Sequence, residues 1–75
     1  MNTIGSEIKE RRKELGITQL ELATLAEVGI NSLVAIEREK GNPSLKTLLS
    51  ILDVLGMDLR LEKRNIHASL QGFEE

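Results

Sequence analysis

Residues Thr18–Glu37, TQLELATLAEVGINSLVAIE, decide the fold. Thr18 followed three residues later by Glu21 is a capping box. The Thr18 hydroxyl accepts from the Glu21 backbone N–H, and the Glu21 carboxylate accepts from that of Thr18. Behind it, Leu22, Ala23 and Ala26 fall on one helical face, where the two small alanines let a neighbouring helix approach. Glu27-Val28-Gly29 interrupts the period, with Gly29 free to cap a helix or take an unusual dihedral. The period then resumes, with Leu33, Ile36 and Glu37 inward and Ile30, Asn31, Val34 and Ala35 outward. The stretch predicts two short helices around a glycine-containing turn, an arrangement whose second helix can enter the DNA major groove.

Upstream, Ile4, Ile8 and Leu15 share a face, which predicts a first helix from Ile4 to Leu15 that Gly16 ends. Arg12, four residues after Ile8, falls in that apolar stripe and needs a partner. Glu37, on the equally apolar face beside Leu33 and Ile36, is the candidate. An internal Arg12–Glu37 pair would clamp the first helix to the third.

Downstream, Glu39-Lys40-Gly41-Asn42-Pro43 is a polar turn, and Ser44 can cap a helix. In that helix Leu45, Leu48, Leu49, Leu52 and Leu55 form an amphipathic stripe ending at Gly56. Met57, Leu59 and Leu61 then alternate with Asp58, Arg60 and Glu62, a period of two that predicts a strand. A lone strand in a helical domain leaves its backbone groups unpaired. Antiparallel pairing with the same strand of a second chain satisfies them, making Met57, Leu59 and Leu61 the expected dimer interface. No clear period survives from Asn65 to Glu75, a segment expected to be flexible. It contains Phe73, the only aromatic residue, whose expected role is to anchor in a partner's pocket. The expected organisation is a DNA-binding unit over 1–56, a dimerising strand over 57–64 and a tail over 65–75.

The totals bound the rest. Seventy-five residues make one domain, and a core this small seldom supplies more than about 3–5 kcal/mol, so oligomerisation is the expected reinforcement. There is no cysteine, and no apolar run approaches the roughly 20 residues of a membrane span. The N-terminus MNTIGSEIKERRK lacks the apolar core of a signal peptide. The expectation is a soluble, cytoplasmic protein. A net charge of −2 and a pI near 5.4 weigh mildly against nucleic acid. However, Lys9, Arg11, Arg12 and Lys13 cluster early, and part of the acidity sits in Glu74 and Glu75. His67 is the only histidine and makes no metal site alone; no cofactor is implied. With no cysteine, no second histidine and no glycine-rich phosphate loop, no catalytic residues are expected and an enzyme is rejected.

The run Ile8, Arg12, Gly16-Ile17-Thr18-Gln19, Leu22-Ala23, Val28, Leu33, Ile36-Glu37, Pro43-Ser44-Leu45 and Leu48 to Gly56 resembles the Xre family of lambda-repressor-like helix-turn-helix domains. The resemblance implies an all-α bundle of four or five helices that binds palindromic operator DNA as a two-fold homodimer. It also supports the Arg12–Glu37 clamp. The Met57–Glu62 strand makes the chain similar to the HipB-type antitoxins of that family, which bind a kinase-like toxin and repress their own operon.

By match to the family motif, Gln19 contacts a phosphate beside the N-terminus of the second helix. Asn31 reads adenine through its side-chain amide, and Ser32 bonds a base edge or a phosphate. Ile30 and Ala35 meet thymine methyl groups, while Lys40, Asn42 and Lys46 hold the DNA backbone. Three departures from the family pattern stand out: Glu27 where glycine is usual, Gly29 where Ser or Thr is common, and no Arg, Lys or Gln on the outward face of the reading helix before Arg38. They leave open a protein-interaction module of the same fold that has lost DNA reading. Salt separates the two, because phosphate-based binding weakens steeply as salt rises.

Overall fold

The computed structural model describes residues 3–63, in which the chain forms four helices: α1 (Ile4–Glu14), α2 (Gln19–Ala26), α3 (Ile30–Glu37) and α4 (Leu45–Leu55). Three of them start on a hydroxyl cap. Thr18 caps α2 as expected, accepting from the Glu21 N–H at 3.0 Å, while the Thr18 N–H donates to the Glu21 carboxylate at 2.9 Å. The Thr18 backbone N–H, and after it the Thr18 side chain, hold the Glu21 carboxyl below the ordinary carboxylate range. That contribution is present above the ordinary range and is lost as pH falls through the depressed value. Ser44 caps α4 through the Thr47 N–H, and Thr3 forms a second capping box with Ser6.

All four helices end in one way. The last turn closes with a pair of bonds, as in a Schellman motif: one from a residue in the left-handed region, the other from the residue after it. At α1 the donors are Gly16 to Lys13 and Ile17 to Arg12; at α2, Glu27 to Thr24 and Val28 to Ala23. At α3 they are Glu39 to Ile36 and Lys40 to Ala35; at α4, Gly56 to Asp53 and Met57 to Leu52. Ile17, Val28 and Met57 then turn inward onto the core. The left-handed residue is glycine after α1 and α4 but glutamate on both sides of α3, Glu27 at φ 57° and Glu39 at φ 60°.

An L-residue strains in that region by about 1–2 kcal/mol, partly offset for glycine by the extra freedom it gives the unfolded chain. Glu27 is exposed. Glu27→Gly should therefore raise stability by about 0.5–1 kcal/mol, read as a higher urea midpoint at unchanged slope.

The helices enclose a core of Ile8, Leu22, Ala23, Ala26, Leu33, Ile36, Ile51, Leu52 and Leu55. The inward faces expected for α2 and α3 are the buried ones. Those of α1 and α4 need correction. Ile4 and Leu15, at the two ends of α1, are exposed, so Gly5, Ile8 and Arg12 carry its contact. On α4 the core takes Ile51, Leu52 and Leu55 with part of Leu48, while Leu45 and Leu49 are 58% and 45% exposed. With Leu45, Leu48, Leu49, Leu52 and Leu55 joined by Ile51 and Val54, apolar side chains cover more than half of the α4 circumference, so its period does not say which sector faces the core.

One further expectation is not met by the single chain. Among the described residues there is no strand, and the chain after Gly56 runs without regular structure. Met57 packs on the core, but Leu59 is half-exposed and Leu61 is 98% exposed. A single chain offers this segment no neighbouring strand, so its pairing needs a second copy. Phe73 and the rest of the expected tail lie outside the described residues. Among the described residues no single helix is long and apolar enough to cross a membrane.

Candidate nucleic-acid interface

The site is built from the clamp outward. Arg12 and Glu37 are 9% and 8% exposed and form a two-point pair: Nε donates to Oε2 at 2.8 Å and Nη2 to Oε1 at 3.0 Å. The third arm of the guanidinium, Nη1, donates to the Ile17 carbonyl at 3.0 Å. Hydrogen bonding to Glu37 outweighs desolvation and raises the Arg12 pKa above its ordinary value, so the charge is permanent. Two parallel bonds to a carboxylate fix direction as well as distance. α1, α3 and the entry to α2 are thereby locked together.

Gln19, the first residue of α2, joins this network. Its Nε2 donates to Glu37 Oε1 at 3.2 Å. The buried carboxylate thus fixes the side-chain amide of the residue expected on a phosphate, leaving one amide hydrogen of Gln19 to point elsewhere. Sequence reasoning named all three residues but missed this link. The signal was present, since Glu37 has acceptor capacity beyond what one guanidinium uses.

Between α2 and α3 the chain direction turns by 118°. This lies within the range of helix pairs that present their second helix to a groove. α3 starts at Gly29 with no side-chain cap. Asn31 and Ser32 are therefore not spent on its N-terminus, and both are exposed. Ile30 is exposed beside them, while Val34 and Ala35, expected outside, are half-buried.

The turn after α3 folds back toward this face. Ser32, Ala35, Lys40 and Asn42 line one shallow recess of about 210 Å³, with Ile36, Gly41 and Pro43. The fold thus gathers four of the expected contact residues. Lys46 does not line that recess. It borders a separate groove along α4 with Leu45, Leu49 and Met57. Arg38, at the end of α3, is an exposed cation close to the recess in sequence. Among the described residues no group of three acidic, histidine or cysteine side chains could hold a metal ion.

Comparison with known proteins places this arrangement. The Helix-turn-helix family model matches residues 8–61. The immunity repressor protein of Bacillus phage phi105 is 42% identical over 57 residues, covering 76% of this chain and 40% of the phage protein. An uncharacterised HTH-type transcriptional regulator of Haemophilus influenzae is 40% identical over 55 residues, covering 73% of this chain and 56% of that one. The chain thus spans about half the length of these relatives. Among solved structures, the crystal structure of SinR, a master regulator for biofilm formation, in complex with DNA superposes with a TM-score of 0.69. It is 40% identical, covering 75% of this chain and 90% of that one.

Proposed function

The chain belongs to the helix-turn-helix family in its Xre, lambda-repressor-like form, and we propose that it is a cytoplasmic transcriptional repressor that binds a palindromic operator as a homodimer. The observation that carries this reading is the free outer face of α3. Asn31 and Ser32 are exposed and uncommitted to capping, and the turn bearing Lys40 and Asn42 flanks them.

Each residue has a role its chemistry allows. Gln19, oriented by Glu37, donates to a phosphate near the α2 N-terminus, where the helix dipole favours negative charge. Asn31 bonds adenine N6 and N7 together, and Ser32 takes a neighbouring base edge or phosphate. Ile30 and Ala35 contact thymine methyl groups. Lys40 and Asn42 grip the backbone, which sets register without reading sequence. With no arginine on the α3 face to read guanine, the contacted positions are A·T pairs. The dimer, paired through the strand expected over residues 57–64, presents two α3 helices to half-sites about 34 Å apart, one turn of DNA. Occupancy of such a site excludes polymerase.

Replacing Asn31 with Ala tests the reading. It should relax preference at one position in each half-site and weaken binding by about 1–3 kcal/mol there. Unchanged binding across a panel of operator variants would remove Asn31 as a reader.

Two neighbouring readings have their own observations. The apolar, half-exposed Ile30 on a face without arginine favours a protein-interaction module; complex formation with a protein that is insensitive to salt would support it over DNA reading. The antitoxin reading, with a kinase-like toxin as partner, rests on the alternation from Met57 to Glu62 and on Phe73. The relative from phage phi105, named an immunity repressor, supports repression. Co-purification of a kinase-like protein encoded beside the gene would support the antitoxin.

A further inference from the structure

The apolar arc of α4 extends past its core-facing sector. Leu45 and Leu49 are exposed there, and together with Leu52, Met57 and Leu59 they line an open groove of about 740 Å³. Exposed leucines this concentrated in a chain of 75 residues mark a contact surface. The charges on the groove indicate what fills it. Lys46 borders it at the start of α4, and Asp53 borders it near the end, with Asp58 beyond. Lys46 and Asp53 are seven residues apart, hence on one side of the helix and about 10 Å apart along its axis. They are too far apart to pair with each other, and neither makes an ion pair among the described residues.

We propose that this groove is occupied by α4 of a second copy of the chain, packed antiparallel and crossing between Leu49 and Ser50. The register follows from the numbering. A two-fold axis between residues 49 and 50 sets Lys46 opposite the partner's Asp53, and Asp53 opposite the partner's Lys46. One operation creates both attractions, as a self-complementary contact requires. Ser50 at the crossing is small enough for the two helices to approach closely, and Leu45 and Leu49 are buried on both sides. The contact is continuous with Leu59, and so with the segment assigned to the dimer above. The inference rests on that homodimer reading and gives it a register. It also takes Lys46 from the DNA backbone and assigns it to the interface.

Sedimentation of the full chain without DNA, over a range of concentrations, tests the register. Lys46→Asp and Asp53→Lys each convert two attractions into two repulsions and should weaken dimerisation at least about tenfold. An equimolar mixture of the two variants restores both attractions and should form dimers at concentrations where neither variant does alone. Both positions are exposed, and unchanged helical circular dichroism confirms that the variants fold. If the parent chain is dimeric, and the variants and their mixture behave like it, the register is wrong while the homodimer stands. If the parent chain is monomeric at every concentration, alone and on DNA, the groove belongs to another partner and both readings fall.

Discussion

Replacing Arg12 with Leu should leave the protein largely unfolded at 25 °C. Glu37 is 8% exposed, and its carboxylate would lose both bonds to the guanidinium while staying buried. Leaving one member of a buried pair alone typically costs about 3–5 kcal/mol. A core of this size supplies about the same amount in total. Urea unfolding followed by circular dichroism would show little or no folded baseline. The paired change Arg12→Leu with Glu37→Leu should recover most of the stability, because replacing both charges with apolar groups is often neutral. The recovered fold would have lost the anchor that orients Gln19. It should bind DNA more weakly than the parent at equal stability, which separates the structural part of the clamp from its part in the interface.

Gly5→Ala is the second large effect, and its sign runs against helix propensity. Gly5 lies in the first turn of α1, where alanine is ordinarily favoured by about 1 kcal/mol. Here a Cβ would stand 2.2 Å from the Ile36 carbonyl oxygen and 3.2 Å from Glu39 Cγ. The oxygen is backbone and cannot swing aside. α1 and α3 would have to move apart, opening the packing around Ile8 and Ile36. Overpacking of this kind costs about 1–3 kcal/mol, more than the propensity returns. A lower melting temperature is expected, whereas a more stable Gly5→Ala protein would mean that the two helices do not cross at this distance.

These two residues show what the sequence makes legible. Arg12 was readable because a charge in an apolar stripe demands a partner, and Glu37 stood in the only other stripe with a buried acid. Gly5 was not, because nothing along the chain records that a backbone from another helix will pass over it. The α2–α3 unit was legible for a related reason: its capping box and its two inward faces are local signals. α4 misled because its apolar arc is wider than the sector the core uses, and only the assembled bundle shows that Ile51 faces the core while Leu45 and Leu49 do not. The recess that joins Ser32 and Ala35 to Lys40 and Asn42 depends on how the α3–α4 turn folds back, a contact between elements that residue types alone do not specify. The glutamates at Glu27 and Glu39 mark positions where position, and not preference, sets the backbone.

Whether α3 reads DNA is decided by anisotropy titration of the purified protein against a labelled duplex from upstream of its own gene, beside a scrambled duplex, at several salt concentrations. The native duplex should bind at least about a thousandfold more tightly than the scrambled one, with log affinity falling linearly as log salt rises. Equal affinity for both duplexes at low salt, or no binding at all, would contradict DNA reading by α3.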